Sequence, residues 1–132
     1  ATETLEDLDD LLDELKQREE STALLVEGRK DEYALMVLGV GGEVKQVQSG
    51  GGLLKVAEEL AAEGKDAIIL TDWDRKGGQL CRLLKNALKA NGVKFDSSQR
   101  ARLVRMSKKE IKDVESLPAF MSKLVSESQK ER

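Results

Sequence analysis

Apolar residues along this chain come in two rhythms, helical stripes and short unbroken runs, and the two alternate. Thr2–Glu20 carries Leu5, Leu8, Leu12 and Leu15 at heptad spacing, with Leu11 widening the stripe and acids on the other faces, the signature of an amphipathic surface helix. Thr22–Val26 (Thr-Ala-Leu-Leu-Val) reads as a strand buried on both faces. Arg29–Leu38 predicts a helix with Asp31 and Glu32 in its first turn, Tyr33, Leu35, Met36 and Val37 within it, and Gly39 as its stop. Val44–Gln48 is a weaker, alternating strand nearer an edge. Ser49–Gly52 is a glycine connector opening the helix Leu53–Glu63, whose apolar face is Leu53, Val56, Ala57, Leu60 and Ala61.

Ala67–Leu70 is a second run of the doubly buried kind. The longest central helix spans Arg75–Asn91, with Leu80, Leu83, Leu84, Ala87 and Leu88 on its buried side and Asn91-Gly92 closing it. Ala101–Met106, with Arg100, Arg102 and Arg105 interleaved among its apolar residues, predicts a fourth strand, and Ser107-x-x-Glu110 a capping box. Ser116, with Pro118 just inside, starts a last helix faced by Leu117, Phe120, Met121, Leu124 and Val125; the tail Gln129–Arg132 is expected to fray.

Strands alternating with helices predict one Rossmann-like α/β domain, with a mostly parallel sheet of about four strands flanked by helices. Its parts are an acidic amphipathic N-terminal helix packed on the domain (1–21), an α/β core (22–106) and a C-terminal helical extension (107–132). A length of 132 residues suits one hydrophobic core. The sequence shows no internal repeat or low-complexity segment.

Composition narrows the chemistry. Histidine is absent and Cys81 is the lone cysteine, which excludes His-based triads, His ligands, an internal disulfide and Cys-x-x-Cys metal sites; Cys81 itself reads as a small core residue. No apolar run nears the ~20 residues of a membrane span, and the acidic first residues are unlike a signal peptide, so no membrane partner is expected and the cytoplasm is the expected location. The net charge of −3 is unevenly laid out: residues 1–74 hold 19 acids and 7 bases, whereas residues 75–112 hold 12 bases and 2 acids. Arg75, Arg82, Lys85 and Lys89 share one helix face, and no acid occurs between Arg75 and Phe95. With Lys76, Arg102 and Arg105 they are the candidate nucleic-acid-binding residues; solubility and pairing with the acidic first helix is the other reading of these bases.

Candidate catalysis centres on acids at strand ends. Asp72 and Asp74 follow Ala67–Leu70 and leave an extended chain on the same side, where open α/β sheets place ligands. Glu27 ends the first strand in the same way. Hard oxygen ligands select Mg2+ or Mn2+, and a third carboxylate can accept or donate a proton. Helix capping is the alternative role for such acids. Trp73 between them either stacks on a base or anchors a neighbouring loop. Asp113 and Glu115 read as caps of the last helix or as outer carboxylates of the site. The Ser49–Gly52 loop matches neither Gly-x-x-x-x-Gly-Lys-Ser/Thr nor Gly-x-Gly-x-x-Gly, so no nucleotide site is assigned to it.

Leu24-Leu25-Val26 leading into Glu27-Gly28, followed by Ile68–Thr71 leading into Asp72-x-Asp74-x-x-Gly77, resembles the Toprim domain of topoisomerases, bacterial-type primases, certain nucleases and small stand-alone proteins. The resemblance runs from Thr22 to Met106. It implies Glu27 as general acid or base, Asp72 and Asp74, together with Glu27, as the Mg2+ site, and Gly28 and Gly77 as small residues letting the chain turn around it. Val26–Asp31 and Lys112-Asp113-Val114-Glu115 are most similar to small stand-alone members related to the bacterial ribonucleases that mature 5S ribosomal RNA. The departures from the larger relatives are plain. Within this sequence, no domain bearing a topoisomerase tyrosine is expected, and its one tyrosine, Tyr33, falls within a predicted core helix. Nor is a primase zinc module or the maturases' accessory C-terminal domain expected within it.

The expected function is therefore Mg-dependent phosphodiester chemistry on nucleic acid, RNA favoured over DNA, most simply an RNA-processing nuclease. The alternative is a non-catalytic nucleic-acid-binding subunit whose protein partner supplies a missing domain.

Overall fold

A computed structural model describes residues 2–48 and 51–130. In chain order the elements are α1 (Thr2–Lys16), β1 (Thr22–Val26), α2 (Arg29–Val37), β2 (Val44–Gln46), α3 (Gly52–Glu63), β3 (Asp66–Ile69), α4 (Arg75–Ala90), β4 (Phe95–Asp96), α5 (Ser98–Ser107) and α6 (Leu117–Lys130). The four strands form one all-parallel sheet in the order β2-β1-β3-β4. This is a single Rossmann-like α/β domain.

Alternation along the central strands divides the core into two layers. Leu24, Val26, Ile68 and Leu70 pack with α1, α2, α5 and α6, through Leu8, Leu11, Leu15, Leu35, Leu103 and Phe120 among others. Ala23, Leu25, Ala67 and Ile69 face the other way, onto α3 and α4. Both faces of β1 and β3 are thus covered, as their unbroken apolar runs require. The leucine stripe of α1 is buried at Leu8, Leu11, Leu12 and Leu15, so this helix is part of the core. No helix among the described residues is long and apolar enough to cross a membrane.

The fourth strand is not Ala101–Met106. Those residues lie in α5, and the fourth strand is the two-residue Phe95–Asp96. The arginines make Leu103 look like part of an alternating run, but the residues α5 buries are Gln99, Leu103 and Ser107, four apart, which is the helical period. Ser107 consequently ends a helix and caps none: its hydroxyl donates to the Val104 carbonyl, and Lys108 and Lys109 turn the chain with positive φ. In α2, Tyr33, Met36 and Val37 are exposed, leaving Ala34, Leu35 and Asp31 as its buried residues. Leu83 of α4 is likewise exposed and not core. The glycine connector is described only in part, because Ser49 and Gly50 lie outside the described residues; Gly51 and Gly52 take positive φ. Of the tail expected to fray, Gln129 and Lys130 continue α6, and Glu131 and Arg132 lie outside the described residues.

Candidate active site at the carboxyl edge of the sheet

β1 is followed by a crossover to β2 on one side, and the chain later returns to β3 on its other side. The β1/β3 boundary is therefore where the strand order reverses, and the crevice beyond the carboxyl ends of such strands is where open α/β sheets bind ligands. Leu25 pairs with Ile69, so Glu27 and the Thr71–Asp74 loop emerge side by side at that boundary. Glu27 Oε2 accepts the backbone N–H of Asp72 at 2.8 Å, and its Oε1 accepts Gln48 Nε2 at 3.2 Å. Burying Glu27 costs little under these conditions, because both oxygens are satisfied.

Asp72 is different. Its Oδ1 is buried with no hydrogen-bond partner among the described residues. Burial, reinforced by the nearby carboxylates of Asp31, Glu27, Asp113 and Asp74, pushes its pKa from the ordinary 3.8 up to about 8. The Asp72 carboxyl thus holds its proton far more firmly than an ordinary carboxylate. Asp31 is also buried and its pKa is raised, by burial first; its oxygens accept the backbone N–H groups of Gly28 and Glu115.

Asp74 plays a structural part as well, since its Oδ1 accepts Gly77 N–H at 2.7 Å and caps α4. Among the described residues no three acids stand as a ready ligand group, so Glu27, Asp72 and Asp74 are adjacent but not drawn into one shell. The donor set suits a hard divalent cation all the same. Mg2+ is commonly held by one or two carboxylates with retained waters, and Asp72 offers an oxygen that no described residue uses. The Glu27 oxygens each keep a second lone pair.

The loop bearing these acids is held tightly. Arg100 donates from Nε to the Thr71 carbonyl at 2.9 Å and from Nη2 to the Asp72 carbonyl at 2.7 Å. The Thr71 hydroxyl donates to the Gly77 carbonyl. A Cβ on Gly77 would stand 2.0 Å from the Asp72 carbonyl oxygen, so only glycine lets α4 approach the loop. Gly28 is less constrained: its backbone is extended, and a Cβ there would have Gln48 Oε1 as its nearest neighbour at 3.6 Å. The chain does turn sharply here between β1 and α2, but the backbone at position 28 does not require glycine. Trp73 anchors a loop, its indole N–H donating to the Ile111 carbonyl at 2.8 Å and its backbone N–H to Lys112 at 2.7 Å.

The predicted basic residues divide between two sides of the sheet. Arg75, Lys76, Arg82, Lys85 and Lys89 run along the outward side of α4 and have no hydrogen-bond or ion-pair partner among the described residues; the helix carries no acid in its first turn. Arg102 and Arg105 lie on α5 toward α1, where Arg102 pairs with Glu14 at 2.6 Å and Arg105 lines a polar cavity with Glu3 and Asp7. They do not extend the α4 ridge, and pairing with the acidic first helix accounts for Arg102.

Sequence reasoning did not assign Asp31 or Arg100 to the site. The Gly28-x-x-Asp31 capping spacing is the signal for the first. Arg100 was hidden by the false strand, whose helical period would have placed it at the start of α5. Asp113, weighed between two roles, has the capping one: it accepts Ser116 N–H at 2.8 Å ahead of α6; its charge also helps raise the Asp72 pKa.

Fold and site together define a parallel Rossmann-like domain with a carboxylate cluster at its topological switch point. The chain belongs to the UPF0292 family. A member from Methanosarcina barkeri is 40% identical over 123 residues, covering 91% of this chain and 84% of that protein. One from Thermococcus gammatolerans is 40% identical over 115 residues, covering 86% and 84%. Among solved structures, a protein from Aquifex aeolicus superposes with a TM-score of 0.71 at 28% identity, covering 83% of this chain and 96% of that one. No family model matches the chain.

Proposed function

We propose that the carboxyl edge of the sheet carries out Mg-dependent phosphodiester chemistry on nucleic acid, RNA favoured over DNA, as a processing nuclease. One observation carries this reading: the half-buried Asp72 carboxyl at the β1/β3 switch point, whose buried Oδ1 has no hydrogen-bond partner among the described residues and which feels the charge of four further acids. Acids this near a partly buried carboxyl cost stability unless a proton or a cation neutralises them. Asp72 and Asp74 would hold Mg2+ or Mn2+, with Glu27 beside them. A bound cation would neutralise phosphate charge and lower the pKa of a coordinated water.

The chain's own residues supply the rest. Glu27, the acid at the end of β1, would take a proton from the attacking water or return one to the leaving oxygen. Arg100 and Gly77 fix the loop on which Asp72 and Asp74 stand. Arg75 and Lys76 occupy the first turn of α4, where the helix dipole already disfavours cations. Their position beside the acids supports a role in meeting phosphate, and Arg82, Lys85 and Lys89 continue the track along the helix. The resemblance of the Glu27-Gly28 and Asp72-x-Asp74 motifs to Toprim domains supports the same chemistry.

The test is cleavage of structured RNA and of single- and double-stranded RNA and DNA, with Mg2+, Mn2+ or EDTA. Glu27→Gln should abolish metal-dependent cutting, a loss of ~10²–10⁴-fold for a general base. The Gln carbonyl can still accept the Asp72 N–H, so the thermal midpoint should hold. Wild-type cutting by Glu27→Gln removes its catalytic role. Binding without cutting under every condition favours the second reading, a nucleic-acid-binding subunit working with a partner.

A further inference from the structure

We propose that the groove between α2 and α6 is a nucleobase subsite, in which one base of a single strand stacks on Tyr33 and the adjoining phosphate meets Arg29 and Lys30. The inference rests on the nucleic-acid reading of the acidic edge, and it names the form of substrate that edge takes, an unpaired strand.

The groove has a volume of about 650 Å³, within the range of small-ligand sites. Tyr33, Ala34 and Val37 line it from α2, and Pro118 and Ala119 from α6. Tyr33 is 61% exposed, an unusual position for a ring near the middle of a helix in a chain with four aromatic residues. The other three are unavailable on this side. Trp73 is tied to Ile111 and Lys112, Phe120 is buried, and Phe95 pairs with Ala67 at the amino edge of the sheet, away from the acids. Tyr33 is the aromatic ring that lines the groove.

Groove and cluster share a wall. Asp31, whose charge acts on Asp72, accepts the backbone N–H of Glu115, and Glu115 lines the groove. Arg29 and Lys30 also line it and have no hydrogen-bond or ion-pair partner among the described residues. An apolar slot with an aromatic face, bordered by Arg29 and Lys30 against the single acid Glu115, has the chemistry of a stacked nucleotide. A duplex keeps its bases stacked on one another and cannot offer one to Tyr33, whereas a single strand can.

The test uses single-stranded RNA and DNA oligonucleotides with one 2-aminopurine, whose fluorescence drops on stacking, in EDTA and again in Mg2+. Wild type and Tyr33→Phe should quench the probe. Tyr33→Ala should lose the quench and weaken single-strand binding about tenfold, with duplex binding unchanged. Tyr33→Leu, which keeps bulk without a π face, should behave like Tyr33→Ala and also guards against a packing defect. Full quench and affinity in both variants, with binding lost in Arg82→Glu/Lys85→Glu, overturns the subsite and leaves the nucleic-acid reading standing. No oligonucleotide binding by wild type removes both. Self-association in sedimentation that Tyr33→Ala abolishes would assign the groove to a second copy of the chain instead.

Discussion

Asp72→Asn should make the protein more stable, and more so as pH rises. The Asp72 carboxyl has a folded-state pKa of about 8 against an ordinary 3.8. Between those values the unfolded chain releases a proton that the folded chain retains. Stability therefore falls as pH rises from about 4, and the loss is complete above about 8. At about 1.4 kcal/mol per pH unit, the gap sets a ceiling near 6 kcal/mol. Asp72 is only partly buried, and solvent screening reduces this to ~2–3 kcal/mol. For a domain of this size that is about 6–12 °C in thermal midpoint.

Asparagine keeps the shape and carries no titrating proton, so the variant's advantage should be small at pH 4.5 and near its full value at pH 8.5. The assay is thermal unfolding of both proteins in EDTA across that range. Millimolar Mg2+ should then raise the wild-type midpoint at pH 8.5, because the cation binds the ionised site of the folded state alone, and should do little for Asp72→Asn. A variant no more stable than wild type at pH 8.5 would refute the account of Asp72 as a destabilised acid. A Mg2+ effect undiminished in the variant would move the metal elsewhere.

Other consequences can be read from single residues. Gly77→Ala should cost about 3 kcal/mol or more, because its Cβ would overlap the Asp72 carbonyl; Gly78→Ala, with Arg100 Nη2 at 4.0 Å as its nearest neighbour, should be neutral or stabilising in the same melts. Arg100→Met should cost ~1.5–3 kcal/mol for the lost charge-assisted bonds to Thr71 and Asp72 and weaken Mg2+ binding by calorimetry, and Arg100→Lys should not restore the two-pronged grip. Reversing Arg82 and Lys85 to Glu should lower affinity for nucleic acid of any sequence and reduce the log–log salt slope by ~1.5–2; binding insensitive to both changes leaves these bases a solubility role.

The central architecture was legible because burial on both faces leaves an unambiguous mark. Thr22–Val26 and Ala67–Leu70 are too short for helices and too apolar for surface strands, and they became the two middle strands within a residue of the expected ends. Glu27, Asp72 and Asp74 could be placed together because strand-end position follows from strand identity. What failed lies at the periphery, where packing decides and local pattern does not. β4 has two residues and no pattern to read. In α5, arginines interleaved with aliphatics imitate alternation. Tyr33 and Leu83 fit apolar stripes yet face outward, since a stripe shows which residues share a face and not how far the neighbouring layer reaches. Asp31 entered the site through the packing of the 113–115 segment against α2, a tertiary fact with little local trace.

Several features of this edge work against stability, and their coincidence in one place is the strongest argument for function. Asp72 buries an unsatisfied oxygen among like charges. Asp31 is held buried with a raised pKa in the same field. The first turn of α4 carries two cations and no acid, against the helix dipole. Gly77, in a helix interior position that costs up to ~1 kcal/mol relative to alanine, is required by the approach of α4 to the acid loop. A fold selected only to persist would lose two of these by single substitutions, Asp72→Asn and Arg75→Glu. Elsewhere the chain follows the stabilising rules closely, with Lys45 set among Glu43, Glu59 and Glu63 and a leucine stripe on α1 that is fully used. Local violations confined to a switch point, in an otherwise consistent sequence, mark the place where binding partners supply what the fold lacks. A cation among the acids and phosphates along α4 would relieve the two electrostatic conflicts at once, so the proposed substrate, a metal-bound nucleic-acid strand, would satisfy both where either ligand alone would satisfy one.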